Sequence, residues 1–559
     1  MRLLIRTPVL AVFAALLAHS QSGPIVSHPA HQDVSRDLFS IALEAKEEDH
    51  GNSQKQIHRH GKVKDDRLRE RNASRMATYT APLSPTTVQT STADSPYFSA
   101  TPGANFEGLG TGFAGYTITG APPDTTMAVG PTRIIQWVNS HYAVFDKAGN
   151  ALLPPHGFIA GNSLWSGFGG VCQTTNRGDP VVQYDHLADR WVFSQFAFNV
   201  NGAGDPIAPF TQCFAVSTTN NPLGTYNRYS YVFANFNDYG KLGVWPDAYY
   251  MSYNMFSEPS GTNTGVAPCA YDRAAMLTGA AATSVCMATN FYGGGGSLLP
   301  SDWDGTTPPA AGAPNIFVRQ GTGAPAGLRM LKFHVDFVTP ANSTFNDGLG
   351  GALGTLINLP VTLTRACNGT GGTCIPQPGG GELLDTLGDR LMYRLQYRKR
   401  GTTESLVVTQ SEDPDGAGAV GAALRWYEIR DPFGATPSLF QNATFVPDSV
   451  NRWMGSVAMD KVGNMLIGYS ASDATAVFPS IRITGRQRSE IRNQLQVEST
   501  IVAGTGAQLS TFNRWGDYST MQVDPSDDCT FWYTTEYYAA SAAFNWRTRI
   551  ASFKFPNCQ

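Results

Sequence analysis

The chain has few charges for its 559 residues, and it contains no long stretch of helical sequence. The 3.6-residue hydrophobic period of a helix persists for only a turn or two, as at residues 273–279, which excludes a helical bundle. The formal net charge is −4. Nucleic-acid binding needs a basic face, so we do not expect it. Beyond the N-terminus no apolar run is long enough to span a membrane.

Several catalytic signatures are also missing from the sequence. Four histidines lie beyond residue 100, and none belongs to an HExxH motif or to another close ligand spacing. A GxSxG nucleophile motif is absent as well. These absences argue against zinc hydrolysis and against Ser-His-Asp acyl transfer.

The N-terminus predicts export from the cell. Arg2 and Arg6 precede an apolar stretch at residues 9–18, and small or polar residues follow. This pattern is typical of a secretory signal peptide, which we place at residues 1–20. We therefore expect a secreted monomer, extracellular or at the cell surface, or periplasmic in a Gram-negative organism.

The next 84 residues, 21–104, differ in composition from the rest of the chain. A charged, His-rich segment is followed by a Ser/Thr/Pro linker with little apolar surface to bury. This composition predicts a largely disordered pro-segment and linker, with the folded domain at residues 105–559.

Eight cysteines, all beyond the signal peptide, predict disulfides in an oxidising compartment. Spacing alone does not fix their connectivity, so pairing of each cysteine with the next is our hypothesis. The predicted pairs are Cys172–Cys213, Cys269–Cys286, Cys367–Cys374 and Cys529–Cys558.

From about residue 105 the chain consists of short β-branched or aromatic runs bounded by Gly, Pro, Asp or Asn, which indicates an all-β fold. Seven strand starts share a similar form at spacings of 55 to 74 residues. They are centred on Asp124, Asp179, Asp247, Asn315, Asp389, Met454 and Asp517. Repeated strand–turn–strand units predict a seven-bladed β-propeller, with each start opening an innermost strand. Only 42 residues follow Asp517, so we expect a strand near residues 113–119 to complete the last blade.

The segments PPDTTMAVGP, GDPVVQYDHLADRWVFSQFA, RWMGSVAMD and RWGDYSTMQVDPSDDCTFWYTTEYY resemble an uncharacterised family of secreted bacterial β-propeller proteins, loosely described as sialidase-like. The resemblance implies the propeller fold, with a six-bladed sialidase-like propeller as the alternative. It implies no established activity. No arginine triad can be assigned from it, so no catalytic residue is carried over.

If the seven starts are equivalent, their side chains surround one axial mouth. The candidate catalytic residues are then Asp124, Asp179, Asp247, Asp389 and Asp517. So many neighbouring carboxylates need compensation. A Ca²⁺ ion bound by these aspartates and Asn315 would supply it. Pairing with Arg390, Arg452 and Arg514 is the other remedy.

Aromatic residues near these starts are candidate sugar-stacking platforms. They are Trp453, Trp515 and Tyr518, which we group with the three arginines as candidate substrate-binding residues. The competing interpretation is structural: an aspartate at a strand entrance fixes a turn, and a buried tryptophan packs between blades.

The sequence therefore predicts a secreted propeller that binds or hydrolyses an extracellular glycan at its axial mouth. If the protein is an enzyme, we expect a sialidase-like glycoside hydrolase. The alternative is a non-catalytic scaffold or a propeller that binds a surface protein, with calcium as a possible stabilising ion.

Overall fold

The computed structural model describes residues 23–45, 88–118, 121–287, 297–321, 327–414, 420–509 and 513–559. Most regular structure in these ranges is β-strand, as predicted. The α-helices there are short: α1 (Leu38–Glu44), α2 (Gly170–Thr174) and α3 (Arg273–Thr278). Within the described ranges, no helix has the length and apolar character needed to cross a membrane.

Among the described residues, the strands from residue 126 onward are grouped here by chain order, and the fourth and fifth groups are joined in one ten-stranded sheet. The first group is β5 (Thr126–Val129), β6 (Arg133–Val138), β7 (His141–Asp146) and β8 (Ile159–Ala160). The second is β9 (Val181–Asp185), β10 (Arg190–Val200), β11 (Pro206–Ser217) and β12 (Tyr226–Phe233). The third is β13 (Phe236–Val244), β14 (Ala248–Ser257), β15 (Thr262–Asp272) and β16 (Ser284–Met287).

The fourth group is β17 (Leu299–Asp304), β18 (Asn315–Gly321), β19 (Gly327–His334), β20 (Thr344–Asn346) and β21 (Ile357–Pro360). A small hairpin follows, β22 (Thr373–Ile375) with β23 (Leu384–Asp385). The fifth group is β24 (Leu391–Arg400), β25 (Thr403–Glu412), β26 (Ala423–Arg430) and β27 (Ser438–Phe445). The sixth is β28 (Asn451–Met459), β29 (Met465–Ser472), β30 (Phe478–Arg486) and β31 (Ser499–Gly504). The seventh is β32 (Thr520–Val523), β33 (Thr530–Tyr538) and β34 (Trp546–Lys554).

The first strands of the seven groups contact one another in chain order. β5 contacts β9, and the contacts continue through β13, β17, β24, β28 and β32, which contacts β5 again. One of these neighbouring pairs, β17 with β24, is hydrogen-bonded in parallel. The first strands therefore surround a common centre, and residues at their N-terminal ends lie near one another.

The N-terminal residues supply further strands at the edges of this assembly. These are β1 (Pro24–Ser27) on β16, β2 (His31–Val34) on β12, β3 (Val88–Gln89) on β27 and β4 (Thr101–Glu107) on β34. These strands lie within or at the end of the segment at residues 21–104 that we expect to be largely disordered, and β4 spans the expected domain boundary. They form because outer strands offer unpaired backbone groups to any segment that reaches them. The predicted signal peptide and residues 46–87 lie outside the described residues.

The strand that completes the seventh group comes from the N-terminal side, but it is not the predicted one. β4 pairs antiparallel with β34, so the prediction of residues 113–119 was wrong. Phe113 and Tyr116 instead pack edge-on against Phe158, with ring centroids 6.0 and 5.2 Å apart. These residues therefore contribute aromatic packing and do not form the strand that pairs with β34.

All four predicted disulfides are formed. Their Cα atoms lie 4.0 to 6.0 Å apart, close enough for a bridge without large backbone movement. The bridges close loops of 7 to 41 residues, so each one is local. Four disulfides are consistent with a secreted or extracellular protein.

Candidate functional site

Three of the predicted aspartates occupy the same place in the fold. Asp124, Asp179 and Asp517 lie just before β5, β9 and β32, and their φ angles are 48°, 45° and 57°. Aspartate tolerates this left-handed conformation better than most residues do. The structure therefore brings these three aspartates to equivalent entrances of first strands.

The other four first strands also have a positive φ angle near their N-terminal ends, at different residues. Ser297 and Leu387 precede β17 and β24, whereas Tyr239 and Met454 lie inside β13 and β28, where the strand register shifts. The feature that repeats is thus a residue with a positive φ angle, and aspartate is one of the residue types found at this position. Met454, one of the predicted starts, keeps its place in this series.

Two predicted ring members lie at the starts of second strands instead of first strands. Asp247 lies in the turn before β14, where its carboxylate accepts a hydrogen bond from Tyr250, and Asn315 opens β18. Both β14 and β18 are second strands, so neither residue enters the centre. Asn315 instead bridges to the backbone N–H and C=O of Ser301. The period was misplaced because loop lengths vary between groups.

Two of the three predicted arginines pair with predicted aspartates. The Arg390 guanidinium donates to Asp389, with Nε 2.8 Å from Oδ1, and Arg514 pairs with Asp517. All four side chains are buried.

The third arginine was predicted wrongly as a partner of the aspartate ring. Arg452 pairs with Asp448 and Glu498, at N–O distances of 2.9 Å. Glu498 lies 46 residues away in the chain, so only the fold brings the two together.

Sequence analysis missed Lys241, which lies in the middle of the aspartates. A bulge in β13 between Asp238 and Lys241 turns this side chain toward the centre. Its ammonium lies 3.2 Å from the centroid of the Tyr239 ring and 3.7 Å from that of Tyr518. The sequence does contain a sign of this residue, because Lys241 is the one charged residue in the run YGKLGV. Lysine is rarely buried, so a lysine within such a strand is unusual.

We call these groups the central cluster. Its members are Asp124, Asp179, Asp238, Lys241, Asp389, Arg390, Arg514 and Asp517.

Electrostatic coupling shifts the pKa values of several cluster members. Burial, together with the nearby charges of Asp517 and Asp179, raises the pKa of Asp124 well above its usual range. Burial and then the neighbouring Asp238 raise the pKa of Asp179 to about 8. Burial lowers the pKa of Lys241 to about 7, although the surrounding carboxylates oppose this shift. Protons are therefore shared among these groups near neutral pH.

Part of the central cluster faces solvent, and part of it lacks partners. Asp179 and Asp238 keep some exposed surface, whereas Asp124 is 2% exposed. Asn139 donates to Oδ2 of Asp124, and Oδ1 is buried with no hydrogen-bond partner among the described residues. One Asp179 oxygen accepts the backbone N–H of Tyr239 at 3.1 Å. The partly exposed carboxylates thus lie beside the buried Asp124, whose Oδ1 accepts no hydrogen bond from the described residues.

Farther along the first strands, neutral side chains fill the centre. Gln522 donates to the backbone oxygen of Met127 at 3.2 Å and to Gln183 at 2.9 Å. Gln183 donates to the hydroxyl of Tyr393, which donates to the backbone oxygen of Leu242 at 3.1 Å. These bonds link five first strands and close the centre behind the cluster.

A second ionic group lies beside this network, and we call it the inner ion group. It consists of Asp302, Asp304 and Arg394. Arg394 pairs with Asp304, and its Nε lies 3.3 Å from Oδ2 of Asp302. All three side chains are almost completely buried.

The predicted aromatic platforms are covered by protein. Trp453 and Trp515 are fully buried and pack with ring centroids 5.7 Å apart, and the Trp515 indole donates to Ser470. Tyr518 is buried against Lys241 and Tyr239. None of the three presents an open face for a sugar, which favours the structural interpretation for the two tryptophans.

Within the described ranges, no group of three or more His, Cys, Asp or Glu side chains has an arrangement that could hold a metal ion. Calcium at the centre therefore remains a prediction.

Comparison with known proteins does not identify this chain. No family model matches it, and no curated protein matches it. Solved structures similar to it include polysaccharide lyase Uly1, with 10% identity, TM-score 0.36, and coverage of 82% of this chain and 99% of the lyase. A subtype N11 neuraminidase-like protein of A/flat-faced bat/Peru/033/2010 (H18N11) has 10% identity, TM-score 0.33, and coverage of 74% of this chain and 99% of that protein. The WD40 domain of fission-yeast SCAP has 9% identity, TM-score 0.30, and coverage of 77% and 84%. Likenesses this weak carry no argument about activity.

Proposed function

We propose that the seven strand groups are the blades of one β-propeller. We further propose that this secreted, monomeric protein binds or hydrolyses an extracellular glycan at the mouth formed by the central cluster. The observation that carries the proposal is the convergence of Asp124, Asp179 and Asp517 from three first strands. They share one electrostatic environment, and Asp179 keeps part of its surface exposed.

The pKa pattern suits glycoside hydrolysis, in which one carboxyl group must be protonated while another is ionised. Asp179, with its pKa raised to about 8, holds a proton at neutral pH and is our candidate general acid. Asp517, paired with Arg514, is our candidate ionised base or nucleophile.

The test is a glycan array run beside a panel of chromogenic glycosides and polysaccharides. We expect Asp179→Asn to abolish binding or turnover while the melting temperature stays within a few degrees of the parent. Asp517→Asn should also abolish binding or turnover, but it leaves the buried Arg514 without this partner and should lower the melting temperature. Asp94→Asn is the matched control, because Asp94 is an exposed carboxylate outside the cluster. Full activity in both cluster variants would refute the proposed site.

The alternative is a non-catalytic scaffold or a propeller that binds a surface protein. It is favoured by the Arg390–Asp389 pair and by the neutral network that fills the centre, because both stabilise the ring without a ligand. In that case the same aspartate variants would lower the melting temperature, and no glycan would bind. A calcium-stabilised scaffold additionally requires that chelation lower the melting temperature.

A further inference from the structure

A group of arginines lies at the opposite end of the first strands from the central cluster. The central cluster is at the N-terminal ends of these strands, whereas Arg400 ends the first strand β24, and Arg430 ends β26 of the same group. Arg486 ends β30 of the next group, and Arg488 and Arg492 follow in the loop after it. We call these five residues the arginine patch.

Two members of the arginine patch meet at the turn between β28 and β29. Nη1 of Arg400 lies 3.4 Å from the backbone oxygen of Val462. The next residue, Gly463, leaves room for this guanidinium, since a Cβ there would lie 2.6 Å from Nη1. The backbone N–H of Arg488 donates to Oδ1 of Asn464 at 3.1 Å. The same turn therefore contacts both arginines.

Two other members lie over one aromatic ring. The guanidinium carbon of Arg430 is 3.1 Å from the centroid of the Phe440 ring, and that of Arg492 is 4.8 Å from it. Arg430 also interacts electrostatically with both Arg400 and Arg486. The charges of the arginine patch therefore act on one another across two strand groups.

The carboxylates nearest to the arginine patch are already bonded to other donors. Glu428 is buried and accepts hydrogen bonds from Arg430, Ser405 and Gln441. In Glu490 both carboxylate oxygens accept hydrogen bonds, one from a glutamine side chain at 2.7 Å and one from a backbone N–H at 2.9 Å. Neither glutamate is therefore available to neutralise the rest of the patch.

Three guanidinium groups of the patch have no carboxylate partner within the described ranges. They belong to Arg400, which is partly exposed, and to Arg488 and Arg492, which are exposed. The Nε atoms of Arg400 and of the buried Arg486 also have no hydrogen-bond partner there. An unpartnered buried donor costs free energy, and like charges repel, so an anion bound at the patch would offset both effects.

These positive charges persist at neutral pH. Burial lowers the pKa of Arg400, and the neighbouring arginines lower it further, while Glu428 opposes the shift. A guanidinium titrates so far above neutrality that it stays protonated all the same. The patch therefore keeps its charge wherever the protein is studied near neutral pH.

We propose that the arginine patch is a second binding site, which takes a tetrahedral oxyanion, a phosphate or sulfate group carried by an extracellular ligand. The planar N–H donors of a guanidinium match the oxygens of such groups. Because the arginines come from two strand groups, oxygens that point in several directions can accept from more than one of them. The site lies at the far end of the first strands from the mouth, so the inference does not depend on what the mouth binds.

The experiment is titration calorimetry of the full chain with inorganic pyrophosphate, with O-sulfated maltotetraose and with unsulfated maltotetraose, in about 50 mM sodium chloride. We expect at least one of the two anions to bind with a dissociation constant in the micromolar range, and the neutral sugar not to bind at the patch. The tighter anion identifies the source of the oxyanion. Added salt should weaken the binding because the arginines are exposed.

Arg488→Gln and Arg492→Gln should each reduce the affinity for the bound anion by about tenfold or more. Both side chains are exposed, so the fold should persist, and the use of two variants protects the test against a defect in one. The matched control is Arg133→Gln, which removes one partly exposed arginine from the equivalent end of the first strand group. This control and Asp179→Asn at the mouth should leave the affinity unchanged.

Three outcomes would overturn the inference. The first is that neither anion binds. The second is an equal loss with Arg133→Gln, which would mean general attraction to positive charge. The third is equal binding of the sulfated and unsulfated sugars.

Discussion

The central cluster and the inner ion group both bury aspartates among the first strands, yet the pKa values of Asp124 and Asp304 are shifted in opposite directions, while burial raises the pKa of Asp302 in the inner ion group to about 6. In the inner ion group, Asp304 is buried, which raises its pKa, but Arg394 and His186 hold the pKa well below its usual range. In the central cluster, burial and two neighbouring carboxylates raise the pKa of Asp124. Asp304 is thus held as an ion paired with Arg394, whereas the surroundings of Asp124 favour its protonated form.

The difference shows how a structural site and a candidate functional site are distinguished in this protein. A buried carboxylate with its own guanidinium is neutralised within the fold. By contrast, Asp124, Asp179 and Asp517 surround the single ammonium of Lys241, and Asp179 is partly exposed. Such carboxylates can still bind protons or a ligand, and clusters of this kind are typical of functional sites.

The largest effect is expected from removing the cation of the inner ion group. Arg394→Met leaves Asp302 and Asp304 buried without their partner, so the free energy of unfolding should fall by about 3–5 kcal/mol. Denaturant titration measures this loss. The control is Arg549→Met, which breaks the partly exposed pair with Glu107 and should cost about 1 kcal/mol or less. Equal losses in the two variants would contradict the distinction.

Neutralising one aspartate in each region should give results that differ in direction. Asp304→Asn removes the partner of a buried guanidinium and should cost about 3 kcal/mol. Asp124→Asn replaces a carboxyl group whose ionisation is opposed by burial, Asp517 and Asp179, and asparagine tolerates the positive φ, so stability should not fall. Chemical denaturation at neutral pH compares the two variants. A large loss with Asp124→Asn would show that this aspartate fixes its turn.

The pH dependence of stability should distinguish the central cluster further. The folded-state pKa of Asp179 is about 8 against an ordinary 3.8, so between these values the native state binds more protons than the unfolded state. The contribution of Asp179 to stability therefore falls as pH rises through this window. Asp179→Asn should gain stability relative to the parent between about pH 5 and about pH 7, below the range in which Lys241 contributes. Thermal melts at the two pH values measure it, and a pH-independent difference would contradict the shift.

The smallest effect concerns an aspartate outside both regions. Asp247 lies in the turn before the second strand β14, so Asp247→Asn should leave glycan affinity within about twofold of the parent. The same glycan assay that tests Asp179→Asn measures it. A loss of glycan affinity comparable to that of Asp179→Asn would show that Asp247 belongs to the binding site.

The sequence was sufficient for features that depend on neighbouring residues. The all-β class followed from short strand-forming runs between turn residues. The four disulfides join consecutive cysteines, so pairing each cysteine with the next was correct. Asp124, Asp179 and Asp517 were found as equivalent because each stands directly before its first strand.

Other features depended on contacts that local sequence does not encode. The 65-residue period placed Asp247 and Asn315 on second strands because inter-strand loops differ in length. The N-terminal strands β1 and β2 form because sheet edges accept them, and edge pairing uses backbone groups that every residue carries.

The sequence by itself thus determined the fold class, the disulfides and three aspartates at strand entrances. Only the tertiary structure decided which charges meet. It pairs Arg452 with Glu498 and joins Gln183 to Gln522 by a hydrogen bond at the centre. It also places Lys241, which follows a bulge in β13, close to Asp179. The physical reason is that turn and strand preferences act over a few residues, whereas electrostatic pairing depends on distances that are fixed only when the first strands converge.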